Sequence, residues 1–245
     1  MKDEGLLLFV FFRIIGVSML QSELIFNVKN LRAGGIQSDD ENISDRQLAF
    51  IIDYYRAKLM RQEAMKHNSM NRQELQDLGR VSLITVDPHE CDCPADACIL
   101  RTELEVPKSL QLGDGKSHGF TFIGHYGGTS FQETTWQRGP WDSYAKYTGD
   151  KPKWFIKGRY IYLLNPPDPM MSVMNIQGLF ETPREAEKFR TCDCDNGVEC
   201  NIGFDFNYPI SAHLVDTMMK MIMESEVRWS TLIPMDTTND SLDSN

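Results

Sequence analysis

The sequence predicts an α+β fold in which N- and C-terminal helices form one helical bundle and a β-rich insertion lies between them. Three observations predict it. Helical periodicity is concentrated toward the two ends of the chain, a middle stretch of about 100 residues alternates with a period near two, and helix-start signals occur both before and directly after that stretch. The resulting division is 1–18 as an apolar extension, 19–80 and 181–235 as the bundle, 81–180 as the insertion and 236–245 as an extended polar tail.

The first residues, MKDEGLLLFVFFRIIGVS, hold an apolar run from Leu6 to Phe12 that Arg13 interrupts. It is shorter than the roughly 20 apolar residues a bilayer span requires. Asp3 and Glu4 spoil the positive start of a secretory signal, and no small-residue cleavage site follows. The expectation is that Met19 is the natural start or that the run docks on a partner, a secretory signal being the weaker alternative.

Leu24, Ile25, Val28 and Leu31 recur at helical spacing up to Gly34-Gly35, a pair suited to a left-handed helix end. Acidic residues follow, and then Ser44-Asp45-Arg46-Gln47 forms a capping box. The Ser44 hydroxyl there is expected to accept from the Gln47 amide, and the Gln47 side chain to accept from the Ser44 amide. From Asp45 to about His67 no Gly or Pro intervenes, and Leu48, Ile51, Ile52, Tyr55 and Leu59 give the apolar stripe of a second helix.

Five runs then read as strands: VSLITV, ILRTELEV, FTFIG, WFIKGRYIYLL and SVMNIQGLF. Thr182-Pro183-Arg184-Glu185 opens a short helix with proline at its first position. The last helix starts near Ser211, carries Leu214, Val215, Met218, Met219, Ile222 and Trp229, and ends before Pro234. Its methionines Met218, Met219, Met221 and Met223 fit core packing first and an adaptable contact with another chain second.

With 245 residues and a formal net charge of -10, the chain can bury a substantial core but repels phosphate backbones. Tight nucleic-acid binding is disfavoured. The exception is a locally basic stretch, Lys146, Lys151, Lys153, Lys157 and Arg159, interleaved with Tyr147, Trp154, Phe155 and Tyr160. Such a pattern serves nucleic-acid grooves, subunit contacts or merely a solvated strand face.

All six cysteines fall in two clusters, Cys91, Cys93 and Cys98, then Cys192, Cys194 and Cys200. Converging thiolates would bind Zn²⁺ tetrahedrally, with His89 a further candidate ligand. The C-x-C step is not that of a zinc ribbon, so disulfides and free loop thiols stay open, free thiols being the plainest reading inside a cell. Leu112 to Ser117 imitates a phosphate loop, but Leu110 stands where the motif needs glycine and no helical pattern follows. The five histidines show no metalloprotease spacing, and no nucleophile elbow is present. No catalytic residues and no organic cofactor are expected.

The segments ELIFNVKNLRAGG, ISDRQLAFIIDYYRAKLMRQ, GLFETPREAEKF and YPISAHLVDTMMKMI, with PMDTTND near the end, resemble virion structural proteins of crAss-like bacteriophages that form rings in the tail barrel. They are more distantly similar to the head-to-tail adaptors of short-tailed phages. The resemblance covers about Leu24 to Asp243, and the cysteine clusters and the apolar first residues depart from it. It implies a non-enzymatic structural protein of the virion, made in the host cytoplasm. It further implies a homo-oligomeric ring of twelve copies that contacts the portal protein and adjacent tail rings and lets DNA pass through its lumen without specific binding and without a membrane. The tail after Pro234 would dock on an adjacent subunit. The alternative is a zinc-stabilised protein-binding module.

Overall fold

A computed structural model describes residues 19–32, 43–67, 71–87, 89, 99–113, 118–125, 128–138, 141, 146–147, 149–191 and 203–227. Among these are four bounded α-helices, α1 (Gln21–Arg32), α2 (Asp45–His67), α3 (Pro183–Thr191) and α4 (Ala212–Ile222), the last running into a π-helical turn, Met223–Val227. Seven strands accompany them: β1 (Gln76–Thr85), β2 (Ile99–Thr102), β3 (Phe120–Gly124), β4 (Gln132–Glu133), β5 (Lys153–Lys157), β6 (Tyr160–Leu164) and β7 (Val173–Gly178). The chain divides into two compact units, Met1–Arg56 with Phe204–Asn245 and, separately, Ala57–Gly203.

In the larger unit the strands form one mixed sheet of order β3-β7-β1-β2-β6-β5-β4, antiparallel throughout except for β4 beside β5. The sheet curls so that its two outermost strands meet through the segment that precedes β4. The Phe131 amide donates to the Ile123 carbonyl of β3 at 2.7 Å, whereas the next amide, of Gln132, donates to Pro152 at 3.2 Å and that of Thr134 to Trp154 at 2.8 Å. A bridge between Gly124 and Ser130 completes this seam. Joining the outer strands consumes backbone groups that an open sheet would leave as a pairing edge.

Alternation along the strands fills the interior with Leu78, Val81 and Leu83 of β1, Ile161 and Leu163 of β6, and Met174 and Ile176 of β7. Leu78 and Val81 share this interior although three positions apart. A bulge between Asp77 and Arg80 resets the register, with Gly79 at φ +73° and its amide held by the Asp77 carboxylate at 2.8 Å. On the opposite face Ile99, Phe155, Tyr162 and Leu164 pack together, Phe155 and Tyr162 stacking with ring centroids 5.2 Å apart. The β5–β6 hairpin turns on Gly158 at φ +67° and Arg159.

The expected helical bundle with a β insertion does not form. The curled sheet is a core in its own right, and α3 packs on it instead of joining terminal helices. Ala186 is buried in the sheet's core cluster, Phe189 packs against it, and Gln76 of β1 donates to the Pro183 carbonyl at 3.0 Å. The second half of α2 also belongs with the sheet, where Arg61 donates to the Gln111 carbonyl at 3.0 Å and approaches Glu181 at 3.8 Å. Periodicity shows that a helix has an apolar face but not which surface that face meets.

The helix starts follow the sequence closely. Of the five expected strands, WFIKGRYIYLL divides at Gly158 into β5 and β6 and ILRTELEV is strand only over Ile99–Thr102, while β4 was not expected. The capping box of α2 forms as expected, Gln47 N donating to Ser44 Oγ at 3.3 Å and Ser44 N to Gln47 Oε1 at 3.0 Å. Pro183 opens α3, and the amides of Glu185 and Ala186 donate to the Thr182 carbonyl. The Gly34-Gly35 helix end, Trp229 and the polar tail lie outside the described residues.

Candidate interaction surface

The helical unit is built around Leu24, Ile25 and Val28 of α1, Leu48, Ile52 and Tyr55 of α2, and Leu214, Val215, Met218 and Ile222 of α4, all buried. Met218 and Met219 are therefore core residues, as the first reading of the methionine group held; Met221 and Met223 are half-buried. Within this core lies a polar cluster. Arg56 is fully buried, its Nε donating to the Pro209 carbonyl at 2.8 Å and its guanidinium 5.7 Å from the centre of the Tyr208 ring. The Tyr208 hydroxyl donates to Asp53 Oδ1 at 2.7 Å, which Gln21 Nε2 also approaches at 3.5 Å. Burial pushes the Tyr208 phenol well above its ordinary 10.0; the Asp53 carboxylate adds to that shift and Arg56 opposes it. Ser225 gives its hydroxyl proton to the Met221 carbonyl at 2.6 Å, so the Tyr55 hydroxyl is the donor in its short bond to Ser225.

The opposite face of α2 is turned to solvent. At 100° per residue Arg46, Phe50 and Tyr54 follow one another along a single stripe, about 180° from Leu48, Ile52 and Tyr55. Phe50 is 73% exposed and Tyr54 57% exposed. Ile43, Ser44, Arg46, Gln47, Phe50 and Ile51 line a shallow depression at the start of the helix. Sequence reasoning followed the buried stripe and missed this one. Two aromatics spaced i, i+4 off the main apolar face were the signal.

In the sheet unit, the basic stretch does not make one cationic face. Lys153 is buried within β5. Arg159 is held by Glu105 at 3.3 Å and Glu185 at 3.7 Å, and Lys157 sits over the Trp136 ring at 5.5 Å. Lys146 stands 5.3 Å from the centre of the Tyr147 ring, with Tyr147 82% and Trp141 74% exposed. What the stretch presents is aromatic as much as basic. Trp154 and Phe155, which the sequence placed in the same pattern, are interior residues.

His118 is buried at the seam, its ring between Trp154 and Phe120 at centroid distances of 5.0 and 5.4 Å. Its Nδ1 accepts from the Phe120 amide at 3.3 Å, which leaves Nε2 protonated and donating to Glu133 at 2.7 Å. Both nitrogens are thereby engaged in closing the sheet. The imitation phosphate loop leads into β3 and not a helix, and Asp114 to Ser117 lie outside the described residues.

The metal candidates Cys91, Cys93, Cys98, Cys192, Cys194 and Cys200 also lie outside the described residues. Thr85 and Ile99 border the first cluster at the end of β1, whereas α3 leads into the second from Arg190, beside Gly79 near the start of β1. Among the described residues no group of three His, Cys, Asp or Glu side chains is placed to hold a metal, and no helix is long and apolar enough to cross a membrane.

The chain thus has a curled sheet whose outer strands are linked through the main chain and, in its helical unit, an aromatic face that the described residues leave exposed. Compared with known protein families, residues 28–244 match the model of phage tail ring protein 2, a family of crAss-like phages. The chain belongs to this family. It is a structural ring protein of the phage tail, in agreement with the resemblance seen in its terminal segments. Among curated proteins none matches this chain.

Proposed function

We propose that this tail ring protein assembles with copies of itself into a closed ring between portal and tail, through which DNA passes without being gripped. Membership of the tail ring family over residues 28–244 is the observation that carries the reading. A head-to-tail contact repeated about one axis closes into such a ring, with twelve copies as the proposed number. The net charge of -10 suits a lumen that must not retain DNA, and the pairing of Arg159 with Glu105 and Glu185 removes one cation from the basic stretch. The function is structural and not catalytic. The portal protein and the adjacent tail rings are its neighbours in the virion, and its synthesis is in the host cytoplasm.

Native mass spectrometry combined with negative-stain microscopy tests this. A closed oligomer with an annular projection is expected from the purified chain alone or after mixing with the portal protein. A chain that stays monomeric in both conditions overturns the reading. Zinc held by the two cysteine clusters is a separate proposal resting on their composition, and spectra recorded without chelator read it directly as added metal mass per chain.

A further inference from the structure

We propose that the Arg46–Phe50–Tyr54 stripe of α2 receives the C-terminal segment of a neighbouring copy, with Leu232 and Ile233 on the aromatic pair and Asp236 at Arg46. The proposal rests on the ring reading only for its choice of a second copy as donor.

Three observations point to this occupant. The first is the exposure of two adjacent aromatics beside the depression lined by Ile43, Ser44, Arg46, Gln47, Phe50 and Ile51. Contiguous apolar surface of this kind marks contact sites. The second is Arg46 itself. It occupies the first turn of α2, where a cation opposes the helix dipole, and it makes no ion pair among the described residues, while its neighbour Asp45 is held by Lys29 at 2.7 Å. An arriving carboxylate would satisfy both the guanidinium and the helix N-terminus.

The third is the composition of the chain after Val227. An apolar block, Trp229, Leu232, Ile233, Pro234 and Met235, is followed by Asp236, Asp240 and Asp243, and no Lys, Arg or His occurs after Arg228. Apolar and acidic features thus follow one another in the order that the stripe presents aromatic and basic ones. The lengths agree as well. Arg46 to Tyr54 spans about 12 Å of helix, and Leu232 to Asp236 about 13 Å of extended chain. Running antiparallel to α2, one such segment meets both ends of the stripe.

The test is titration of a fluorescent peptide of residues 228–243 onto full-length chain carrying L232S and I233S, so that the chain's own segment does not compete. Saturable binding is expected, about tenfold weaker with F50A or R46E in the receiving chain. A D236K peptide should bind the R46E chain better than the unaltered peptide does. Absence of saturable binding, or binding indifferent to F50A and R46E, overturns the proposal.

Mixing separates docking between copies from docking within one chain. A full-length F50A chain and a full-length L232S/I233S chain are each defective on one side, and together they should yield a heterodimer. Two monomers after mixing overturn donation by a neighbour. Rings that persist in both variants would overturn the docking and leave the ring reading standing. A wild-type chain that stays monomeric both alone and with the portal protein would remove the ring reading, while the peptide titration would still decide the docking.

Discussion

The sheet unit and the helical unit solve the problem of cohesion differently. In the sheet unit the backbone does most of the joining: seven strands are laddered, the amides of Gln132 and Thr134 hold β4 to the β5 side, and the Phe131 amide ties the segment entering β4 to β3. Side chains fill the interior and lock the seam. In the helical unit each helix satisfies its own backbone, so the contacts between helices are left to side chains. The Arg56, Asp53 and Tyr208 cluster supplies the directional part of those contacts. A sheet held by its main chain should yield only where the seam is filled, whereas the helices should depend on a few polar groups.

The largest expected effect is therefore at the seam. Trp154 is 5% exposed, packs against His118 and Phe120, and donates from Nε1 to the Phe131 carbonyl at 3.3 Å. Trp154→Ala empties the volume beside the segment that joins β3 to β4, and buried Trp to Ala costs about 3–5 kcal/mol. Urea unfolding should show that loss, and hydrogen exchange should rise first in β3, β4 and β5. Unchanged protection of these strands would mean that the seam is not where the sheet is held.

Arg56→Met probes the other unit with a side chain of related length. It deletes the donor to the Pro209 carbonyl, the cation over the Tyr208 ring and the positive charge near Asp53. A buried carbonyl left unsatisfied and a lost cation–π contact together suggest a cost of about 3 kcal/mol. Exchange should rise in α1 and α4 while β1, β6 and β7 keep their protection. Equal loosening of the strands would refute the division of labour between the two units.

How much of this was legible follows the same division. The capping box at Ser44 and the start of α3 at Pro183 depend on neighbours within a few residues, and the sequence displays them, whereas the run WFIKGRYIYLL, read as one strand, folds back at Gly158 into β5 and β6. The seat of α3 on β1 and the return of Phe131 to Ile123 depend on which surfaces meet after the chain has folded, so the expected bundle was wrong while its elements were nearly right. Arg56 reads as one more polar residue on a helix, and nothing local marks it as interior. Its burial depends on a carbonyl and a phenol contributed from beyond position 200. The exposed pair Phe50 and Tyr54 was visible in the periodicity, yet it carries meaning only once Leu48, Ile52 and Tyr55 are known to fill the core.

Tyr208→Phe is the finest test, because it removes one oxygen and alters a dependence on pH more than a stability. At neutral pH the loss of the bond to Asp53 should cost about 1 kcal/mol. In alkali the sign is set by the raised phenol. The unfolded chain releases the Tyr208 proton near 10.0, whereas the folded chain retains it to a higher pH, so from about that point the unfolded state binds fewer protons and stability falls as pH rises. The contribution is complete below the unfolded value and is lost as pH climbs through the folded one. Phenylalanine has no proton to release, so the variant should lose stability less steeply above pH 10.0, and its deficit against the wild type should narrow there. Chemical denaturation at a series of pH values reads both slopes. Parallel slopes would mean that the phenol is not held protonated by its burial beside Asp53, and that the cluster joins the helices by packing alone.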